Sequence, residues 1–199
     1  SADWNQIVNC FGRLTKENNT TIDIVSIERG SLIATLSVSA IIIGAIIRTS
    51  NKILDLILKI YDVRKKALEL KSMKLDNIAQ AIEILEKQSI LNISNEAKGI
   101  AKELMKEYGW EEGSELFHET ETAATKAVRK IIKFQNSGGK IDSKILNPTE
   151  EQLSATSTLK EKNIEFLKME EEVRNLNGGK QILQIENDDN TEDGKDEDQ

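Results

Sequence analysis

The clearest pattern in the chain runs from Ser39 to Lys74, a stretch without Pro in which Gly44 is the one glycine. Its polar positions Arg48, Lys52, Asp55, Lys59, Asp62, Lys66 and Glu69 alternate steps of four and three, drawing one narrow line along a helix. Asp55 precedes Lys59 by four residues, as Asp62 precedes Lys66. This is the favourable order, contributing roughly 0.2–0.5 kcal/mol per pair. Ile53, Leu54, Leu56, Ile57, Leu58, Ile60, Tyr61 and Val63 fill nearly every other position between 53 and 63. A helix so apolar around its girth must be covered on two or three sides.

Upstream the period changes to two. Ile22, Ile24 and Ile27 stand among polar residues, and Leu32, Ala34, Leu36 and Val38 alternate cleanly. That pattern predicts strands, and Glu28-Arg29-Gly30-Ser31 supplies the glycine a short turn needs, so residues 21–38 are expected to form a β-hairpin. The stretch before residue 21 carries little pattern. Downstream the helical period returns, with Ile78, Ala81, Ile82 and Leu85 on one face of residues 76–88. A second helix is expected over 95–108, opened by Ser94 and closed by Gly109. A third is expected over 115–135. After Asn147-Pro148, residues 149–177 place Leu159, Phe166 and Val173 at one heptad position, while Lys162 interrupts the row of Met169 and Leu176. Asn136-Ser137-Gly138-Gly139-Lys140 and Asn177-Gly178-Gly179-Lys180 look alike; helix-stop glycines account for both, and neither has P-loop spacing.

The fold class expected is mainly α: a helical bundle organised around one long central helix (about 39–74), with an N-terminal β-hairpin (about 21–38) and a disordered acidic C-terminal tail. The expected division is 1–147 as hairpin plus helical core, 148–180 as a C-terminal helix or arm, and 181–199 as tail.

Eighteen residues from Gly30 to Ile47 carry no charge, the lower edge of what a spanning helix needs. Strand alternation over 31–38 competes with a span, leaving about ten uncharged helical residues, too few to cross a bilayer. Ala40 and Gly44, amid Ile41, Ile42, Ile43, Ile46 and Ile47, form a small-xxx-small pair of the kind that lets helices approach closely. A soluble core helix is therefore the expectation, and an inserted segment around 38–63 the alternative. No basic segment followed by an apolar stretch opens the chain, so the expected location is cytoplasmic, or in the alternative membrane-associated.

The formal charge of −7 comes from residues 181–199, where eight acids face Lys195 alone. Such a tail lacks the apolar surface to order itself. The remaining 180 residues hold 26 bases and 26 acids, so no global field attracts nucleic acid. Residues 48–75 hold eight bases against three acids, but only Tyr61 could stack on a base, and a solvated helix face accounts for the excess. Nucleic acid is not an expected partner.

Chemistry is sparse. One Cys (Cys10) and one His (His118) exclude a disulfide framework and any site needing two histidines. Glu115 and His118 have Glu-x-x-His spacing without a second pair, and position 122 is Thr, which excludes a zincin helix. Cys10 is expected to be buried as a small apolar residue rather than to act as a nucleophile. Trp4 and Trp110 are expected to anchor helix ends. No cofactor, metal site or catalytic residue is expected. Ile24-x-x-Ile27-x-x-Gly30-Ser31-Leu32 followed by a long apolar helix resembles hairpin-and-helix segments of assorted bacterial proteins, and no activity transfers with that likeness.

Each large aliphatic side chain covered is worth roughly 1.5–3 kcal/mol. Residues 41–63 hold so many that four amphipathic helices and a hairpin are not expected to cover them all. The function expected is that of a non-enzymatic helical assembly or adaptor protein, joined to a protein partner or a second copy. The interaction surface is expected at Ile42, Ile43, Ile46, Ile47, Leu54, Leu58 and Tyr61. The alternative is a membrane-associated anchor or effector.

Overall fold

The computed structural model describes residues 2–17, 23–24, 33–37, 39–73, 76–143 and 148–177. It is mainly helical. In chain order the elements are α1 (Ala2–Leu14), β1 (Asp23–Ile24), β2 (Ile33–Ser37), α2 (Ala40–Ser72), α3 (Asp76–Glu107), α4 (Glu115–Asn136), β3 (Lys140–Ser143) and α5 (Glu150–Leu176).

Helix α2 spans 33 residues of the expected 39–74. Ser39 caps it, its hydroxyl accepting from the Ile42 amide at 3.3 Å, which satisfies one donor that the first turn leaves open. Helix α1 was not expected. Trp4, Ile7, Val8, Phe11 and Leu14 recur at helical spacing and are all buried, so an amphipathic helix packs where little pattern was read. The two helices expected over 76–88 and 95–108 are a single 32-residue helix, α3. Neither Gly nor Pro interrupts residues 86–97, and Ser and Asn weaken a helix interior by only about 0.5 kcal/mol each. Burial of Ile93, Ala97, Ile100, Ala101 and Leu104 along one face outweighs that cost.

Asp23 lies opposite Ser37 and Ile24 opposite Leu36 in an antiparallel pair. The expected turn Glu28–Ser31 falls outside the described residues, as does the expected disordered tail 181–199. Strand β3, which no sequence pattern announced, pairs parallel with β2, Ile33 opposite Lys140 through Leu36 opposite Ser143. The sheet order is β1-β2-β3.

Each of the two parallel strands leads into a helix, and those helices are parallel too. Asp55 meets Lys162 at 2.8 Å and Lys65 meets Glu172 at 2.8 Å, pairs separated by 107 residues. The strand partners have that same separation. Two strand-then-helix units, β2-α2 and β3-α5, therefore lie side by side in one register. Helix α3 returns antiparallel along α2, through Lys52 to Glu103 at 2.6 Å and Arg48 to Glu107 at 2.8 Å. Helix α4 crosses this pair. Its Glu121 lies beside Lys98 and Lys102 of α3, whereas Gln135, fourteen residues on, reaches the Ser50 carbonyl of α2 at 3.4 Å. Helix α1 lies antiparallel on α4, with Arg13 on Glu119 at 2.9 Å, Lys130 on Gln6, and Trp4 edge-on to Phe134 at 5.0 Å.

One core joins all five helices. It includes Phe11 of α1, Ile46 and Ile53 of α2, Leu104 and Met105 of α3, Val128 and Ile131 of α4, and Leu159, Phe166 and Val173 of α5. No helix among the described residues is long and apolar enough to cross a membrane.

Candidate interaction surface

Ile42, Ile43, Ile46, Ile47, Leu54 and Tyr61, expected to face a partner, are buried within the chain itself. Leu58 is half-buried against the same core. The expected surface is thus corrected: α1, α3, α4 and α5 cover it. The additional cover comes from α1 and from the unbroken length of α3. Tyr61 meets Phe166 edge-on at 5.3 Å, and burial, with Glu170 nearby, pushes its phenol up to about 12.

The small pair Ala40 and Gly44 serves a contact within the protein. A Cβ on Gly44 would lie 3.5 Å from the Gln152 amide nitrogen, in ordinary contact. That nitrogen donates to the Ala40 carbonyl at 3.0 Å, while the Gln152 side-chain oxygen accepts from the Thr149 amide at 3.0 Å. The Gln152 amide in turn donates to the Thr149 hydroxyl at 3.2 Å, completing a capping box. One side chain thereby caps α5 and fastens it to the first turn of α2.

The first half of the polar line along α2 pairs with both neighbouring helices, while Lys59 and Lys66 stay exposed, Lys66 paired with Asp62 on α2 itself. Arg48 and Lys52 pair toward α3, and Asp55 pairs toward α5. Arg48 is the most connected, bonding Glu107 at 2.8 Å, Glu151 at 3.3 Å and the Tyr108 hydroxyl at 2.5 Å. Burial raises the Tyr108 pKa, with Arg48 opposing the shift. Beside Arg48, a cavity of about 10 Å³ lined by Gly44, Ile47, Glu151, Gln152 and Ala155 has room for about one water, not for an organic substrate.

The chemistry-bearing residues stay apart from any such site. Cys10 is buried, and desolvation pushes its thiol up to about 11, the opposite of what a thiolate nucleophile requires. His118 is exposed, its Nδ1 3.8 Å from Glu121. Among the described residues no group of three His, Cys, Asp or Glu side chains could hold a metal ion. Trp110 does fasten a helix end, donating from Nε1 to the Leu14 carbonyl at 2.8 Å with Lys16 above its ring.

Large exposed apolar side chains lie elsewhere. Met73 is 67% exposed, Ile84 57% and Leu176 44%. Strand and ion-pair register place Leu176 level with Glu69. Met73 follows the last turn of α2, Ile84 lies in the first half of α3 and Leu176 closes α5, so all three belong to the part of the α2-α3-α5 bundle far from the sheet. Of the three, only Leu176 stands in a pattern along the sequence, at a heptad position. The signal for the other two is an apolar residue on each side of the α2-to-α3 turn. Comparison with protein-family models, curated proteins and solved structures finds no match.

Proposed function

We infer that the chain is a non-enzymatic helical assembly or adaptor protein, acting through protein–protein contacts made by the far end of its three-helix arm, with a second copy as the first occupant to test. The bundle is read as organised around α2. The observation that carries this is the exposure of Met73, Ile84 and Leu176 on the parts of α2, α3 and α5 that lie far from the sheet. Apolar groups gathered at one end of a protein mark contact sites more often than single scattered ones do.

Size exclusion coupled to light scattering tests it. The parent protein is expected to exceed the monomer mass, and a Met73→Ser, Ile84→Ser, Leu176→Ser variant to return to it with unchanged helicity. A monomeric parent that also captures no partner sinks the inference. The membrane alternative would require the side chains of residues 42–61 to exchange their protein neighbours for lipid. Recovery of the protein only with membranes, resistant to high salt, would favour it.

A further inference from the structure

We propose that the cavity between α2 and α5 is a binding site for one internal water, held by Arg48 and Glu151, and that Gly44 is the residue that leaves room for it. This site is independent of the assembly role inferred above.

The cavity, about 10 Å³, is lined by Gly44, Ile47 and Arg48 of α2 and by Glu151, Gln152 and Ala155 of α5. That is room for about one water, and a water stays in a protein interior when two to four polar groups hold it. Arg48 supplies the first. Its Nη1 donates to Glu151 at 3.3 Å, and its Nη2 donates to the Tyr108 hydroxyl at 2.5 Å and pairs with Glu107 at 2.8 Å. Nε remains: it is shut off from solvent and, among the described residues, has no hydrogen-bond partner. A guanidinium in a protein does not give up its proton, so this buried N–H needs an acceptor. Glu151 supplies the second group. Its Oε1 accepts from Nη1, and a carboxylate with about four lone-pair sites accepts from a water as well. The Gln152 Nε2 carries two hydrogens, of which the Ala40 carbonyl takes one at 3.0 Å. A water that accepts from Nε and donates to Glu151 meets this set, whereas the carboxylate repels a chloride ion of the kind that Arg48 alone would attract.

The glycine is the second support. Gly44 sits inside α2, where alanine favours a helix over glycine about fivefold. No neighbouring protein atom forbids the alanine: an added Cβ would lie 3.5 Å from Gln152 Nε2 and 3.9 Å from Gln152 Cγ, both ordinary contacts. What the methyl would enter is the cavity that Gly44 and Gln152 line. Glycine here keeps the volume that the water fills. The water in turn joins the guanidinium that ties α3 to α2 with the first turn of α5.

Two glycine substitutions in the full chain provide the test. Gly99 lies within α3 with open space around its added Cβ, so Gly99→Ala reports helix preference alone. Its thermal midpoint is expected about 2–4 °C above the parent. Gly44→Ala is expected at or below the parent, because the methyl displaces the water and strands the Arg48 Nε–H. A rise for Gly44→Ala equal to that for Gly99→Ala overturns the proposal. High-resolution crystals of the parent should show a water within about 3.2 Å of Arg48 Nε, and crystals of Gly44→Ala should lack it. An empty site in the parent, or an anomalous peak there from crystals grown in bromide, overturns the proposal as well.

Discussion

The two halves of α2 live in different surroundings. From Ala40 to Ile60 the helix is enclosed by α1, α3, α4 and α5, and Ile42, Ile46, Ile53 and Leu54 lose essentially all contact with water. From Tyr61 to Ser72 it has α3 and α5 beside it, and among the described side chains the buried ones reduce to Tyr61 and Ala67. The same amphipathic grammar builds both halves, but the transverse pair α1 and α4 covers only the first. Number of neighbours, rather than hydrophobicity of the segment, separates a rigid base from an arm that offers apolar side chains at its end.

The sharpest way to break this contrast is to truncate one residue in each half. Ile46→Ala should cost about 2–5 kcal/mol in urea unfolding, since a cavity in an enclosed core cannot collapse. Met73→Ser should stay within about 0.5 kcal/mol of the parent at monomeric concentration. Equal losses would erase the distinction. At the base, Gly139→Ala should cost about 1–3 kcal/mol, because its methyl meets the Phe134 carbonyl oxygen as well as the Phe134 ring, and the backbone atom cannot move aside as a side chain can.

The halves should also respond to opposite ends of the pH scale. Burial raises the Cys10 thiol in the base from 9.0 to about 11, so the folded protein keeps a proton that the unfolded chain has lost. Stability is then flat below pH 9 and falls between about 9 and 11; Cys10→Ala should remove that part of the decline. In the arm, the hydrogen bond and charge of Lys65 lower the Glu172 pKa. That contribution is present above the ordinary 4.5 and is lost as pH falls through the lowered value, so α5 amides near Glu172 should exchange faster in acid. Lys52→Ala, which removes an exposed pair with Glu103, sets the smallest expectation, less than about 1 kcal/mol by thermal melting.

Legibility from sequence follows the same division. Helices α2, α4 and α5 were readable because their apolar spacing recurs over many turns, even where Lys162 breaks one row of α5. The Trp4, Ile7, Val8, Phe11 and Leu14 spacing of α1 was equally present and went unread, and with it went the cover over the isoleucines. Strand β3 is four residues, Lys-Ile-Asp-Ser, too short to display a period. It exists because β2 lies beside it, a long-range fact that no local window contains. The expected surface failed for a related reason: periodicity says which residues are apolar, but whether neighbours or solvent meets them depends on how five helices are placed.

The common register of the two strand-then-helix units has a consequence for biosynthesis. Translation proceeds at about 5–20 residues per second, so each residue of α5 emerges roughly 5–20 s after the α2 position it will shelter. During that interval the nascent isoleucine ridge is without one of its lids, so its apolar face is open to water until α5 has emerged.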